Sequence, residues 1–401
     1  MAFISSHWRA LGMSKRKILY LSLLAFGVGA IIFRADLQRS FLNLLVVSEL
    51  LNFEQQGWLG KWSSTPKVME ISYPGPRGTV KADLFLPRGN GKGSGILLNH
   101  GVIDTGKDDP RLKRFAEILC RSGFVVFIPD FKGMRSFRIG PSDIDEVQTA
   151  FNYFTSLNNY VLPQSCGLFG FSYGAGPTIL AASRPAMRHK VRFIIAFGAY
   201  YDLKNVLSFI ASGNFEFEGK RYFRRPQEYG KWVFLANNLD LVVSPEDRSI
   251  LQSILQVKLR DEKAPIEHFL PLLGKEGKNI LALLSHADPS QTDILIRNLP
   301  PAIQTRIESL SVAPVMDRLH ADLILAHGKD DDMIPFTETL RLARAVPDSR
   351  RVYVQILHSY SHVDPEHRAM TVKNLINFYL PEGWKLFGLV NQLMKYRQAP
   401  S

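Results

Sequence analysis

Short, uniformly apolar runs alternate with longer segments of helical period through most of this chain. Gly95-Ile96-Leu97-Leu98-Asn99, Phe124 to Ile128, Cys166 to Phe169, Val191 to Phe197, Ala321 to Ala326 and Arg351 to Ile356 each read as a strand buried on both faces. Val68 to Tyr73 and Val80 to Leu86 alternate apolar and polar positions, and the turn Pro74-Gly75-Pro76-Arg77-Gly78 lies between them. Helices are predicted from Pro110 to Arg121, stopped by Gly123, over 142–157, after Gly174, and over 336–346. A further helix is expected to run to about Tyr379, and Trp384 to Tyr396 is amphipathic. Strands that alternate with helices predict a mostly parallel sheet covered on both faces, an α/β architecture.

The rhythm changes between Leu203 and Val312. Ser244-Pro245-Glu246-Asp247 is a helix start, and Ile250, Leu251, Ile254, Leu255 and Leu259 then mark one apolar face. More helical pieces surround Phe269, Ile280 to Leu284, Ile294 to Leu299 and Ile303 to Leu310, and Phe215 to Lys220 suits a small hairpin. The stretch 203–312 therefore reads as a mainly helical insertion, a cap or lid over a site. The core is expected over 66–202 and 313–380, with 381–401 as a C-terminal amphipathic helix packed on the domain.

Residues 1–17 form a basic tail without acids. Ile18 to Phe33 then runs without a charge, a length between a signal-peptide core and a spanning helix. This transmembrane or signal-anchor segment, 18–33, reads first as an uncleaved signal anchor, with a cleaved signal and a buried or interfacial helix as alternatives. The basic flank precedes it, which predicts a cytosolic N-terminus and a main domain on the far, periplasmic or extracytoplasmic side; cleavage would instead release that domain. The connector 34–65 holds an amphipathic helix over 37–53, suited equally to the domain's own surface or to lipid.

Hydrophobic content of 46% and charged content of 21% in 401 residues suit a globular chain and exclude a disordered one. The net charge of +12 is large, but Lys15-Arg16-Lys17 and Arg221 to Arg225 are the only basic clusters. It suggests affinity for anionic membrane surfaces, and no nucleic-acid partner is expected. Cys120 and Cys166 fall in a helix and a strand as small core residues, with no disulfide between them. No metal-ligand cluster and no phosphate-cradling loop is evident, so no cofactor is expected.

The chemistry centres on Gly170-Phe171-Ser172-Tyr173-Gly174. The pentapeptide sits between an apolar strand and a helix that begins with small residues, the setting in which G-x-S-x-G makes a sharp, strained turn exposing the serine. A Cβ on either glycine would collide with the strand or the helix. The helix start behind it offers free N–H groups to a developing negative charge. His100, Asp130 and Ser172 all close strands at their carboxyl ends, where such sheets bind ligands.

These motifs, with His100-Gly101, Gly328-x-x-Asp331-x-x-x-Pro335 and a histidine after the last strand, resemble the α/β-hydrolase superfamily over roughly 66–380, with 203–312 matching only as a cap. The dienelactone-hydrolase and prolyl-oligopeptidase-like branch is the nearest in character. The resemblance implies a Ser172–Asp331–His362 triad. Val102 and Tyr173 are its implied backbone oxyanion donors. His358 is the rival base. Asp330 and Asp332 read as solvated loop residues or helix-start partners, His100, His327 and Asp130 as structural ones, and His367 as a helix-face residue. No Arg or Glu stands ready to fix a charged dienelactone-like substrate, and no large accessory domain suits a peptidase. A serine hydrolase cleaving a carboxylic ester with an apolar group is expected, with thioester cleavage, acyl transfer or a non-catalytic binding role as alternatives.

Overall fold

The computed structural model describes residues 34–51, 57–89, 91–285, 288–347, 352–362, 368, 369 and 371–397. Helix α1 spans Arg34–Leu51. Strands β1, Lys67–Gly75, and β2, Gly78–Leu86, pair as an antiparallel hairpin. Then come β3, Gly95–Asn99, α2, Pro110–Arg121, β4, Val125–Pro129, α3, Ser142–Ser156, β5, Gly167–Phe171, α4, Ala175–Ser183, and β6, Phe193–Phe197. The insertion carries α5, Leu203–Ser212, the hairpin β7, Asn214–Phe217, and β8, Lys220–Phe223, and then α6, Glu228–Asn238, α7, Pro245–Arg260, α8, Lys275–Leu284, α9, Pro289–Arg297, and α10, Pro301–Leu310. The core resumes with β9, Asp322–Gly328, α11, Thr337–Ala345, β10, Val352–Leu357, and α12, Leu380–Met394. Val372–Asn374 and a π turn at Leu375–Tyr379 lead directly into α12, so the helical run crosses residue 380, where the sequence suggested a boundary.

Eight strands form one sheet in the order β1-β2-β4-β3-β5-β6-β9-β10. The β1–β2 and β2–β4 pairs are antiparallel, and the remaining pairs are parallel. Alternation along each apolar strand sends neighbours to opposite faces. Leu97, Phe127, Leu168 and Ile194 meet α3 and α4 in one layer, while Ile96, Val126, Phe169 and Ile195 meet α1, α2 and α12 in the other. The insertion has a third core of its own around Trp232, Leu251, Leu281 and Ile303.

Helix α1 packs against the domain, not away from it. Val46 and Val47 are buried in the layer that α12 also covers, and Asn43 Nδ2 donates to Asn391 Oδ1 at 3.0 Å. Buried Glu49 accepts from the N–H groups of Gly57 and Leu59 and pairs with Arg114 of α2. Of the two placements open to this amphipathic segment, the structure shows the one on the domain's own surface. The apolar stretch 18–33 lies outside the described residues. Among the described residues no helix is long and apolar enough to cross a membrane.

Candidate active site

The register of the sheet brings the loops after four parallel strands to one edge. Asn99 lies opposite Gly170, and Phe197 lies opposite both Phe171 and Ala326. The nucleophile turn follows β5. Ser172 has φ 51°, a left-handed conformation rare for a side-chain-bearing residue. Close packing holds it there. A Cβ on Gly170 would stand 2.5 Å from Ala175 Cα, and one on Gly174 would stand 2.9 Å from Gly101 N. The two glycines are thus required by contact, as the pentapeptide suggested.

Ser172, His362 and Asp331 come together across the sheet edge. Asp331 Oδ2 accepts from His362 Nδ1 at 2.6 Å, and His362 Nε2 lies 2.6 Å from Ser172 Oγ. With Nδ1–H donated to the carboxylate, Nε2 is left to accept the serine proton. Asp331 is buried, which opposes its charge, but His362 and hydrogen bonds from His327 and His362 outweigh burial and hold its carboxyl well below the usual range. Its Oδ1 accepts the N–H groups of Met333 and Ile334, both at 2.8 Å. His327 Nε2 lies 3.1 Å from Asp331 Oδ2 and 2.9 Å from Ile334 O, and its Nδ1 bonds Thr339. His327 is therefore structural, as read, and what it supports is the Asp331 carboxylate.

Val102 and Tyr173 lie in the loops that follow β3 and β5. The Tyr173 N–H is at the open start of a helical turn, where such groups lack a partner within the helix. Asn99 couples the loops: its Nδ2 donates to Gly174 O at 3.0 Å, and its Oδ1 accepts from Gly101 N at 3.3 Å. The sequence reading passes over Asn99, although one polar residue closing an apolar strand is a usable signal. The Tyr173 ring is anchored in turn, because its hydroxyl donates to Asp143 Oδ2 at 2.9 Å.

The remaining candidates stand elsewhere. His358 is exposed, and its backbone N–H donates to Glu382. His100 Nε2 accepts from Phe131 N at 3.1 Å, so Nδ1 carries the proton and donates to Gly101 O at 2.7 Å. Asp130 pairs with Arg135 and steadies the loop at Lys107. Asp330 pairs with Arg224, and Asp332 accepts from Gln227, so both tie the start of the insertion to the core; they are not free loop carboxylates. His367 lies outside the described residues. Among the described residues no group of His, Cys, Asp and Glu is placed to hold a metal ion.

A serine on a strained turn after β5, an acid after β9 and a histidine after β10, on a sheet in the order above, identify the fold. The fold is that of the α/β hydrolases. No protein-family model matches this chain, and no curated protein matches it. Among solved structures it is similar to the Pyrococcus horikoshii acylaminoacyl peptidase, at 12% identity and a TM-score of 0.49, over 86% of this chain and 44% of that one. It is similar to a 2,6-dihydroxy-pseudo-oxynicotine hydrolase at 13% identity and a TM-score of 0.46, over 84% and 71%. A Mycobacterium tuberculosis puromycin-hydrolyzing peptidase is similar at 13% and 0.46, over 82% and 38%. The chain spans less than half the length of the two peptidases.

A cavity of about 340 Å³ opens at Ser172 and His362. It runs along the sheet face under Phe171, Phe169, Phe197 and Ile195, and is walled by α1, α2 and α12. No described lining residue comes from 203–312. The sequence points to the insertion as the lid of an apolar site; the apolar surface beside the serine is instead built by the sheet and by helices near the two ends of the chain.

Proposed function

We propose that this protein is a serine hydrolase that cleaves a carboxylic ester or thioester bearing an apolar group, through an acyl-enzyme. The observation that carries the reading is the unbroken chain Asp331–His362–Ser172, at 2.6 Å in each link. Ser172 Oγ attacks the carbonyl carbon as its proton passes to His362 Nε2. The carbonyl oxygen gains the negative charge, which in this reading the N–H groups of Val102 and Tyr173 receive. The intermediate collapses, the bond to the leaving oxygen or sulfur breaks, and His362 returns its proton to that atom. Water then attacks the acyl-enzyme with His362 again taking a proton, the free acid leaves, and Ser172 is restored. Asp331 stays ionised throughout and stabilises the imidazolium.

The test is covalent labelling by a fluorophosphonate, wild type against Ser172→Ala. Labelling of wild type alone supports the reading. Equal labelling of both proteins, or none of the folded wild type with and without detergent, overturns it.

A further inference from the structure

The cavity beside Ser172 has a shape that the triad does not require. On α2 its lining runs from Arg111 to Leu119, roughly 12 Å of helix at 1.5 Å per residue. On α12 it includes Leu386, Leu389, Val390 and Leu393, and on α1 Val46 and Leu50. The charged lining residues, Asp109 and Arg111, sit at the start of α2, and the walls beyond are aliphatic or aromatic. A peptide drawn into this space would leave its N–H and C=O groups unpaired. A hydrocarbon chain would not.

We infer that this cavity is an acyl-chain tunnel: it holds the unbranched apolar acyl chain of the substrate between the sheet and the helix pair α1–α12. The assignment rests on the serine-hydrolase reading. The acyl group is the part that stays through both half-reactions, so it belongs in the interior. The leaving group must depart before water attacks, so it belongs on the solvent side of Ser172. The first helix of the described chain thereby becomes a wall of the binding site, through Val46 and Leu50.

The experiment uses the full chain with p-nitrophenyl esters from acetyl to palmitoyl, comparing wild type with Leu389→Trp and Val390→Phe, each checked for a cooperative unfolding transition. For wild type, kcat/KM is expected to climb about three- to fourfold per methylene from acetyl to octanoyl, the gain of burying each one. Filling the tunnel should lower the octanoyl-to-acetyl ratio by about tenfold or more. Phe115→Ala, which removes a ring lying 5.1 Å from Phe169, widens the space and should move the optimum to longer chains. A flat chain-length series, or a ratio that none of the three variants shifts, overturns the tunnel; fluorophosphonate labelling of Ser172 in the same preparation would leave the serine-hydrolase reading standing. If no ester is turned over and Ser172 stays unlabelled, that reading falls and calorimetric titration with octanoate decides the tunnel. Binding weakened by Leu389→Trp and Val390→Phe sustains it, and no binding to wild type ends it.

Discussion

Ser172, His362 and Asp331 lie on three different loops, and the residues that hold them are as informative as the three themselves. Ser172→Ala should lower kcat by about 10⁶-fold, because the three groups act as a unit. His362→Ala should do nearly the same, whereas His358→Ala should stay close to wild type, since that side chain is exposed. Steady-state kinetics on a chromogenic ester separates the two. Asn99→Ala should lower kcat by about tenfold or more with little change in KM, because it loosens the loops after β3 and β5 at once. His100 adds a pH effect. Burial pushes its pKa down to about 4, against about 6.5 in an unfolded chain. The unfolded state therefore takes up the proton first. Stability from this residue is whole above about pH 6.5 and is lost as pH falls toward 4, by up to ~3 kcal/mol. Urea melts of wild type should show that loss, and His100→Asn should show a flatter profile over the same range. Ser172 and Asp331 stood out because each falls in a short motif with fixed spacing, and His362 because it lies in the loop after the last strand. Asn99 and His327 did not, because their work depends on partners that sequence distance hides; Asn99 bonds a residue 75 positions away.

At the scale of elements, the strands could be read directly, since a strand buried on both faces must be apolar throughout. The helix α1 could not be placed in the same way. Its apolar stripe says that one face is covered but does not name the cover, and the contact that answers this joins residues 348 positions apart. The core was expected to start near Lys67, yet Glu49 and its partners make α1 part of it. A chain that starts at residue 34 keeps α1 and serves as the reference. One that starts at residue 57 exposes the surface under Val46 and Val47 and leaves Arg114 without Glu49, a loss of about 3 kcal/mol or more. Calorimetry on the two truncations distinguishes these outcomes.

For the molecule as a whole, the middle of the insertion is a body with its own apolar centre, while Val206 and Leu310 at its two ends pack in the main core and Arg224–Asp330 and Gln227–Asp332 add polar links. Its helical character was legible from the spacing of Leu251, Ile254 and Leu255. Its position relative to the cavity was not, because local periodicity carries no information about which face of the sheet a distant helix will roof. Such a body should open independently. Native-state hydrogen exchange should show the amides of α6 to α9 exchanging faster than those of β3, β5 and β6. The location of the cavity has a further consequence. Its walls come from α1 near the beginning of the chain and α12 near its end, with the sheet between them. His362 lies 190 positions after Ser172, and Leu386, Val390 and Leu393 lie later still. During synthesis the serine turn therefore leaves the ribosome before its histidine and before the α12 wall of the cavity. The apolar surface beside Ser172 is complete only when α12 has docked.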